Sequence, residues 1–363
     1  MNFYIGFSIS SYQTEGNNLF TDWYHFEGKK LPKSGKACNL WERYEELVPI
    51  LKDLNVNAFR FSIEWSRIFP KKEKIDYKSL RRYIKFTSLL IDNGIEPFVT
   101  IWHFTNPKWF LDNGGWEEKG NIADFVEYAD TIISNFSKIG VKHFIVFNEP
   151  LIYILSSYVI GNWPPFSKLS SIKEINKIKT ILDNIHSAYK EVYNIIKEKG
   201  SKSIYTENFS VLNLPAPLNL MSKDSLINFV LSSIPKEVDG IGINYYGIAI
   251  DSHNRKFKVS LSYFRRILDI ASKHFKEIYI TENGMNTQDE FERVRYIKKH
   301  LSFVIRNRRK YKIYGYFIWS LMDNYEWEIG YRAKFGILTR DLNPKDSYYE
   351  IKEMLSRLNL KDS

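Results

Sequence analysis

The sequence of 363 residues contains one cysteine, Cys38, which excludes the internal disulfides on which many small secreted proteins depend. No apolar run is long enough to cross a membrane, and the N-terminal segment MNFYIGFSIS has neither a basic leader nor an apolar signal segment. Gly/Ser-rich linkers and low-complexity tracts are also absent. We therefore expect a cytoplasmic protein in which residues 1–363 form a single domain.

Several local signatures of catalytic sites are missing as well. The chain has no GxGxxG or Walker loop, no GxSxG segment and no HExxH segment, which argues against nucleotide binding, serine hydrolysis and zinc proteolysis. Cys38 has no cysteine or histidine partner at the spacing of a metal site. We expect that the protein uses no metal and no other cofactor.

The charge balance is positive, since 52 Lys and Arg residues against 42 Asp and Glu residues give a formal net charge of +10. In segments such as residues 171–200 the lysines alternate with acidic residues, as on the solvated face of a helix. This pattern argues against nucleic acid as a partner, and no membrane partner is expected. A basic nucleic-acid binder stays an alternative that steep, salt-dependent retention on DNA would support. The sequence does not decide whether the chain forms a homo-oligomer.

The chain does contain a repeated alternation of short apolar strands with longer helical stretches. The predicted strands are residues 3–10, 58–63, 96–102, 143–148, 203–208, 240–246, 278–283 and 315–320. Helical spacing is clearest in residues 39–55, 77–94, 122–140 and 172–199, and Pro49 predicts a kink or a late start in the first of these. Eight such alternations predict an α/β protein that folds as a single (β/α)8 TIM barrel.

Most of the predicted strands end on polar or large aromatic residues. A single acid or amide at a strand end is usually a cap or a turn residue. In a (β/α)8 barrel, however, all the carboxyl ends meet at one rim, where active sites are built. Glu149 and Glu282 each follow an apolar strand, and we expect them to face each other across this rim because a buried carboxylate is costly unless it has partners or a task.

Two carboxylates among Trp, Tyr, Asn, Gln and His side chains are what glycoside hydrolysis requires. One acid protonates the leaving oxygen and the other attacks or stabilises the anomeric carbon. Aromatic faces stack on sugar rings while amides and imidazoles bind hydroxyl groups, which would explain the nine Trp and 24 Tyr residues. A metal site of Glu149, Glu282 and His103 is a weaker alternative, because it offers a single histidine.

Seven motifs occur in a specific order along nearly the whole chain. They are GFSISSYQTEG, FRFSIEWSRIFP, GIEPFVTIWHFTNPKWFLDNGGW, FNEP, GINYY, ITENG and GYFIWSLMDNYEWEIGYRAKFGIL. Together they resemble glycoside hydrolase family 1, the family of retaining β-glucosidases and β-galactosidases. The resemblance implies a retaining, exo-acting β-glycosidase that hydrolyses β-glucosides or β-galactosides by double displacement with two glutamates.

The resemblance also implies a role for individual residues. Glu149 would be the general acid/base and Glu282 the nucleophile. Arg60 and Tyr246 would hydrogen-bond the nucleophile, with Asn244 just behind them. The implied substrate-binding residues are Gln13, Trp102, His103, Asn148, Trp319, Glu326, Trp327 and Phe335, with Trp319 as the platform under the sugar ring.

The charges expected around the two glutamates agree with these roles. Arg60 and the Tyr246 hydroxyl favour the ionised form of Glu282, so we expect a nucleophile at neutral pH. Glu149 has fewer cationic neighbours, so we expect its pKa to be raised. Retaining chemistry predicts that the two carboxyl groups lie roughly 5 to 5.5 Å apart.

Other residues within the motifs are more readily explained by structure. We expect Trp65, Trp109, Trp116 and Trp163 to pack in the core rather than contact substrate. Glu15 and Glu64 are expected to form structural ion pairs with arginines such as Arg67.

The chain departs from the family pattern in its loops, which are shorter between Asn208 and Asp239 and after the TENG motif. We therefore expect a more open site on the leaving-group side. A branch of the family acts on 6-phosphorylated sugars and is expected to have Ser at position 326, followed by Lys and Tyr. This chain has Glu326, Ala333 and Phe335, with Lys334 one position from the expected lysine, so we predict non-phosphorylated substrates. The alternatives are a 6-phospho-β-glycosidase, a transglycosylase and a catalytically silent sugar-binding barrel.

Overall fold

A computed structural model describes residues 3–170, 172–210 and 220–358. The strands are β1 (Tyr4–Ser8), β2 (Ala58–Ser62), β3 (Glu96–Trp102), β4 (His143–Asn148), β5 (Lys202–Asn208), β6 (Gly240–Tyr245), β7 (Ile248–Asp251), β8 (Lys256–Lys258), β9 (Ile278–Asn283) and β10 (Ile313–Trp319). The α-helices are α1 (Ser11–Glu15), α2 (Asp22–Phe26), α3 (Leu40–Arg43), α4 (Leu47–Asp53), α5 (Trp65–Ile68), α6 (Tyr77–Asp92), α7 (Lys108–Asp112), α8 (Ile122–Lys138), α9 (Pro150–Ile154), α10 (Ile172–Glu198), α11 (Lys223–Ser232), α12 (Leu261–His274), α13 (Glu290–Tyr311) and α14 (Asp346–Ser356).

Eight of the strands close into a parallel barrel in the order β1-β10-β9-β6-β5-β4-β3-β2. Helices connect successive strands, so the predicted α/β class and (β/α)8 barrel are confirmed. The predicted strands 96–102, 143–148 and 278–283 coincide with β3, β4 and β9, and the other five agree within two residues at either end. These strands are buried on both faces, which is why they are visible in the sequence as continuous apolar runs.

The outer helices agree with the sequence pattern except in the first connection. The predicted helix 39–55 is divided into α3, a 3₁₀ turn at Tyr44–Glu46 and α4. Pro49 lies in the first turn of α4, where the missing N–H would have had no partner within the helix. Among the helices of the described residues, none combines the length and the apolar character needed to cross a membrane.

The barrel interior is filled in layers. The lower layer consists of Ala58, Phe98, Ile145, Ile204, Tyr279 and Phe317. Above it, a Cβ atom at Gly242 would lie 2.0 Å from Thr206 Oγ1 and 2.7 Å from Thr281 Oγ1. Glycine has no Cβ atom, so it allows β6 to lie close to the threonine side chains of the two neighbouring strands. The layer above, at the carboxyl ends of the strands, carries the polar residues of the site.

Candidate active site

A pocket with about 530 Å³ of empty space lies at the carboxyl ends of the barrel strands. Most of the predicted site residues line it: Gln13, His103, Asn148, Glu149, Tyr246, Glu282, Trp319, Glu326, Trp327 and Phe335. Arg60 and Asn244 lie fully buried beneath this surface and bond to its residues. Sequence reasoning thus located the pocket and most of its wall.

Glu282 ends β9 in a buried position with two strong donors. Arg60 Nη1 donates to Glu282 Oε1 at 2.6 Å, and the Tyr246 hydroxyl donates to Glu282 Oε2 at 2.5 Å. Burial raises the pKa of Glu282, whereas the Arg60 charge and these hydrogen bonds act in the opposite direction. The two partners favour the carboxylate as predicted, but burial outweighs them in the net shift.

Glu149 follows β4 and lies in the left-handed backbone region, with φ 48° and ψ 54°. Its N–H donates to the Thr206 carbonyl at 2.8 Å, and Pro150 begins α9 directly after it. The Glu149 carboxyl has only amide donors, because Asn244 Nδ2 and Asn208 Nδ2 reach its Oε1 at 2.5 and 3.1 Å. Burial and the nearby Glu282 charge raise the pKa of Glu149 to about 8.

The two glutamates therefore have different proton affinities. Arg60 contacts Glu282 directly but not Glu149, so the proton of the pair resides on Glu149 at neutral pH. The pocket can offer a proton from one carboxyl and a negative charge from the other at the same time.

Asn244 acts on both glutamates. A hydrogen bond with its side chain lowers the pKa of Glu282, and its amide also donates to Glu149 Oε1 and, at 3.1 Å, to Asn148 Oδ1. Its own oxygen accepts from Thr281 Oγ1 at 2.7 Å, which fixes the orientation of the amide. Asn244 thus connects the two glutamates rather than supporting Glu282 alone.

Neutral polar groups form another part of the pocket wall. Asn148 Oδ1 accepts from Arg60 Nη2 at 2.6 Å, so its Nδ2 must donate to His103 Nε2, 3.3 Å away. His103 therefore carries its hydrogen on Nδ1, which is buried and has no partner within the described residues. Burial and the Arg60 charge hold the pKa of His103 well below its usual value, so the ring is neutral.

Gln13 joins the first and last barrel segments at the pocket wall. Its Nε2 lies 2.8 Å from the Tyr325 carbonyl, 3.1 Å from Asn324 Oδ1 and 3.1 Å from Glu326 Oε2. Its Oε1 accepts from Ser10 Oγ at 2.8 Å. Hydrogen bonds thus fix both the oxygen and the nitrogen of the Gln13 amide, and the nitrogen orients Glu326.

Aromatic rings line much of the pocket. The His103 ring lies nearly parallel to Trp319 and Trp327, with centroid distances of 6.0 and 6.1 Å and interplanar angles of 16° and 15°. Phe335 contacts Tyr246 edge-on at 5.6 Å. Such faces can stack on the apolar side of a sugar ring.

Trp102 does not line the pocket, so the prediction for this residue was wrong. Its Nε1 donates to Asn106 Oδ1 at 2.9 Å, and its ring packs against Tyr153, Phe147 and Trp116 at 4.9, 5.5 and 6.0 Å. As the last residue of β3, it turns outward into the layer between the barrel and the helices.

Trp163 packs in the hydrophobic core, as expected, and it also lines the pocket. It packs on Trp327 with centroids 5.5 Å apart, and its Nε1 donates to Glu328 Oε2 at 2.7 Å. Trp65, Trp109 and Trp116 are not among the pocket residues and pack on other aromatic rings, in agreement with the prediction.

Glu15 and Glu64 were both predicted to form structural ion pairs, but the structure confirms this for Glu15 and not for Glu64. Glu15 forms an ion pair with Arg67, 2.6 Å from its Nε, as expected. Glu64 instead accepts hydrogen bonds from the hydroxyl groups of Ser11, Ser66 and Thr105. Burial raises the pKa of Glu64 to about 7.

Sequence reasoning missed several pocket residues, among them Phe104, Asn208, Arg255 and Phe257, which carry polar or aromatic side chains. Arg255 and Phe257 belong to the β7–β8 hairpin, a polar segment without a strong apolar alternation. Asn208 is the last residue of β5, and a consistent reading of strand ends would have included it. Residues 211–219 of the shortened loop lie outside the described residues.

The side chains near the pocket do not form an obvious metal site. Within residues 3–170, 172–210 and 220–358, no group of three or more His, Cys, Asp or Glu residues is placed to hold an ion.

Comparisons with known proteins agree with the geometry. The model of glycosyl hydrolase family 1 matches residues 1–220 and 232–355. A 1,4-beta-D-glucan glucohydrolase of Thermotoga neapolitana is 27% identical over 440 residues, with 98% of each chain covered. A 6-phospho-beta-galactosidase of Clostridium acetobutylicum is 25% identical over 448 residues, covering 95% of this chain and 93% of that protein. The solved structure of a beta-glycosidase from Pyrococcus horikoshii has a TM-score of 0.87 at 30% identity and covers 97% of this chain and 93% of its own.

The family match extends over most of the chain, and the matched structure shares its barrel. The relatives are enzymes that cleave glycosidic bonds, and the pocket holds the two carboxyl groups that such cleavage requires. The chain therefore belongs to glycosyl hydrolase family 1 and is a glycoside hydrolase.

Proposed function

We propose that the protein is a retaining, exo-acting β-glycosidase that hydrolyses non-phosphorylated β-glucosides or β-galactosides by double displacement. The observation that carries this proposal is the buried pair Glu149 and Glu282, which share one pocket but differ in their neighbours. An amide-bound carboxyl that keeps its proton suits an acid, and an arginine-bound carboxylate suits a nucleophile.

In the first step, the Glu282 carboxylate attacks the anomeric carbon. A C–O bond to Glu282 forms while the glycosidic C–O bond breaks, and Glu149 gives its proton to the departing oxygen. Arg60 and Tyr246 hold the two oxygens of Glu282 and keep one of them directed into the pocket. The products are a glycosyl ester of Glu282 and the free alcohol.

In the second step, Glu149 acts as a base. Once Glu282 is an ester, it has lost the negative charge that helped to raise the pKa of Glu149. The pKa of Glu149 then falls, so this carboxylate can take a proton from water as the water oxygen attacks the anomeric carbon. The ester bond breaks, Glu282 recovers its charge, and two inversions leave the configuration retained. Two displacements also require the carboxyl groups to lie roughly 5 to 5.5 Å apart.

The remaining pocket residues support recognition of a neutral sugar. His103 lines the pocket and carries an Nδ1–H without an acceptor among the described residues, and Glu326 presents a carboxylate to which hydroxyl groups can donate. Trp319 offers an aromatic face for the ring. The Glu326 charge would repel a phosphate group, and Lys334 is outside the pocket, 3.8 Å from Asp323.

A 6-phospho-β-glycosidase is the second candidate, favoured by the similarity to the Clostridium acetobutylicum enzyme. We also propose that residues 1–363 act as one glycosidase domain and that the protein is cytoplasmic. The single, buried Cys38 supports a reducing compartment, since no disulfide can stabilise the chain.

The first experiment compares para-nitrophenyl β-D-glucoside, β-D-galactoside and their 6-phosphates as substrates. Wild type is expected to release nitrophenol from a non-phosphorylated substrate, and Glu282→Gln is expected to be inactive. Glu277→Gln, a change next to the opposite end of β9, serves as the matched control and should keep full activity.

Each alternative has its own outcome in this experiment. Turnover of the 6-phosphates alone would favour the phospho-glycosidase. Rate enhancement and new glycosides on addition of an acceptor alcohol would favour a transglycosylase, and sugar binding without turnover would favour a silent barrel.

A second experiment, in which azide is added to two variants, separates the roles of the two glutamates. Glu282→Gly should yield a glycosyl azide of inverted configuration, and Glu149→Ala should yield one of retained configuration. The opposite stereochemistry would refute the assignment.

A further inference from the structure

The β7–β8 hairpin carries Arg255 into the pocket. The hairpin leaves the carboxyl end of β6, and its turn is held by the Asp251 side chain, which accepts from Asn254 N and Nδ2 at 3.1 and 2.7 Å. Asn286 Nδ2, from the segment after β9, donates to the Asn254 carbonyl at 3.1 Å. Although it lies at the tip of a hairpin, the Arg255 side chain is only 19% exposed.

The Arg255 guanidinium bridges the buried carboxylate of Glu326 and the largely buried carboxylate of Glu328. Its Nε donates to Glu326 Oε1 at 3.2 Å, and its Nη2 lies 3.3 Å from both oxygens of Glu328. Glu328 is held in turn by Trp163 Nε1 at 2.7 Å. The hairpin turn thus holds the backbone of Arg255, and Glu328, which Trp163 holds in turn, fixes the guanidinium.

The backbone of Arg255 has φ 53°, in the left-handed region that favours glycine or asparagine. An arginine at this position lies against the local conformational preference. Backbone of this kind is more frequent at functional sites than elsewhere. The contacts of the guanidinium supply a reason for an arginine at this position.

The contacts leave Glu326 with a defined set of free acceptor positions. Oε1 is engaged by Arg255 and Oε2 by Gln13 at 3.1 Å, and each carboxylate oxygen can accept a second hydrogen bond. Building on the proposed function, we propose that Arg255 is a positioning residue that orients Glu326 to accept two hydroxyl groups of the bound sugar. The glycone is thereby selected by those hydroxyls.

The charges around Glu326 support the same role. The facing groups are Gln13 on α1, Arg255 on the hairpin, Glu282 on β9, Tyr246 after β6, and Glu328 on its own segment. Burial raises the pKa of Glu326 to about 7, with further raising by Glu328 and Glu282 and lowering by Arg255 and Gln13. Loss of Arg255 would raise the pKa of Glu326 further, so a larger fraction of the carboxyl would be protonated at neutral pH and would be a weaker acceptor.

The same charges act against anionic glycones. Arg255 carries one positive charge against two carboxylates, so this side of the pocket is net negative when both are ionised. A phosphate or carboxylate on the sugar would meet this charge after losing its water. Arg255, acting through Glu326, is therefore expected to favour the binding of neutral, polyhydroxylated glycones.

The test measures binding of phenyl 1-thio-β-D-glucopyranoside, a neutral ligand, by tryptophan fluorescence. The variants are Arg255→Met, Arg255→Lys and, as the control, Arg82→Met, which removes an arginine paired with Glu45 outside the pocket. Arg255→Met is expected to weaken binding about tenfold, the loss typical of a charge-assisted hydrogen bond. Arg255→Lys should fall between wild type and Arg255→Met, and Arg82→Met should bind as wild type does.

Derivatives of the thioglucoside that lack one hydroxyl each make the test specific. In wild type, removal of either hydroxyl that binds Glu326 should weaken binding, and in Arg255→Met the same removals should cost much less. The affinity of Arg255→Met should also decline with falling pH at a higher midpoint than that of wild type. In a Glu326→Gln background, Arg255→Met should have little further effect.

Failure of this inference can be told apart from failure of the proposed function. Absence of nitrophenol release by wild type bears on the function, whereas the thioglucoside reports binding without turnover. The inference is overturned if folded Arg255→Met binds like wild type, if wild type does not bind the thioglucoside, or if every deoxy derivative loses affinity equally in both proteins. Arg255→Lys decides the question by the same criteria should Arg255→Met not fold.

Discussion

Replacement of Tyr246 by Phe removes one hydroxyl group from the candidate nucleophile. The Tyr246 hydroxyl donates to the buried Glu282 Oε2 at 2.5 Å, and Tyr246 itself is partly buried. A hydrogen bond to a charged group contributes about 1.5 to 3 kcal/mol, so kcat/KM on para-nitrophenyl β-D-glucoside should fall about 10- to 150-fold. The barrel should remain folded, because the ring and its contacts with Phe335 and Phe257 are kept.

The pH profile makes this prediction specific. The hydrogen bond from Tyr246 lowers the pKa of Glu282, so its loss raises that pKa. Because the nucleophile must be ionised, the acidic limb of the kcat/KM profile should move to higher pH in Tyr246→Phe.

Tyr245→Phe is the matched control, since Tyr245 is the preceding residue and its hydroxyl donates to the Ser260 carbonyl at 2.7 Å, away from the pocket. Equal losses of kcat/KM in both variants, or a Tyr246→Phe profile with an unmoved acidic limb, would refute the reasoning.

Three further predictions concern other buried groups. The alkaline limb of kcat/KM should lie near pH 8, where Glu149 loses its proton, and should disappear in Glu149→Gln assayed with an activated aryl glycoside. Glu207 is buried and accepts from Leu151 N at 3.2 Å, and burial raises its pKa well above the usual value. Between pH 5.5 and 7 the folded state keeps a proton on Glu207 that the unfolded state releases. The free energy of unfolding of wild type should therefore fall with rising pH, by about 1.4 kcal/mol per pH unit more than that of Glu207→Gln. Urea unfolding at several pH values in this range measures the difference. Trp319→Phe should raise KM several-fold while Trp102→Phe should leave it unchanged, and a raised KM in Trp102→Phe would contradict its placement outside the pocket.

The strands and the two glutamates could be predicted for the same physical reason. Parallel strands buried on both faces need continuous apolar runs, and the functional residues follow at the points where those runs stop. Glu149 and Glu282 are therefore marked by a change from apolar to acidic residues. The family resemblance added the roles to positions that the pattern had already located.

The errors concern side-chain direction rather than location. Trp102 ends its strand next to pocket residue His103, yet its ring turns into the outer layer. Asn244 was predicted beside Glu282, but only three-dimensional geometry shows that its amide also donates to Glu149. Residue type does not show whether a side chain at a strand end points into the pocket or into the outer layer, because Trp and Asn occur in both places.

Arg255 was missed because its role depends on distant partners. Glu326 and Glu328 lie 71 and 73 residues further along the chain. The hairpin itself is polar and short, so neither periodicity nor the family motifs distinguish it from an ordinary surface loop. A charged residue of this kind is recognised only when its burial is known.

The contact of Gln13 with Asn324, Tyr325 and Glu326 has a consequence for how the protein is made. These hydrogen bonds span 311 to 313 residues and join the first strand connection to the last. During synthesis, Gln13 leaves the ribosome long before its partners exist, so the sugar pocket cannot be complete until residues 324–326 have emerged. A glycoside ligand would then bind and stabilise only molecules in which these two segments of the barrel have met. Ligand binding during translation or refolding would therefore report that the barrel has closed.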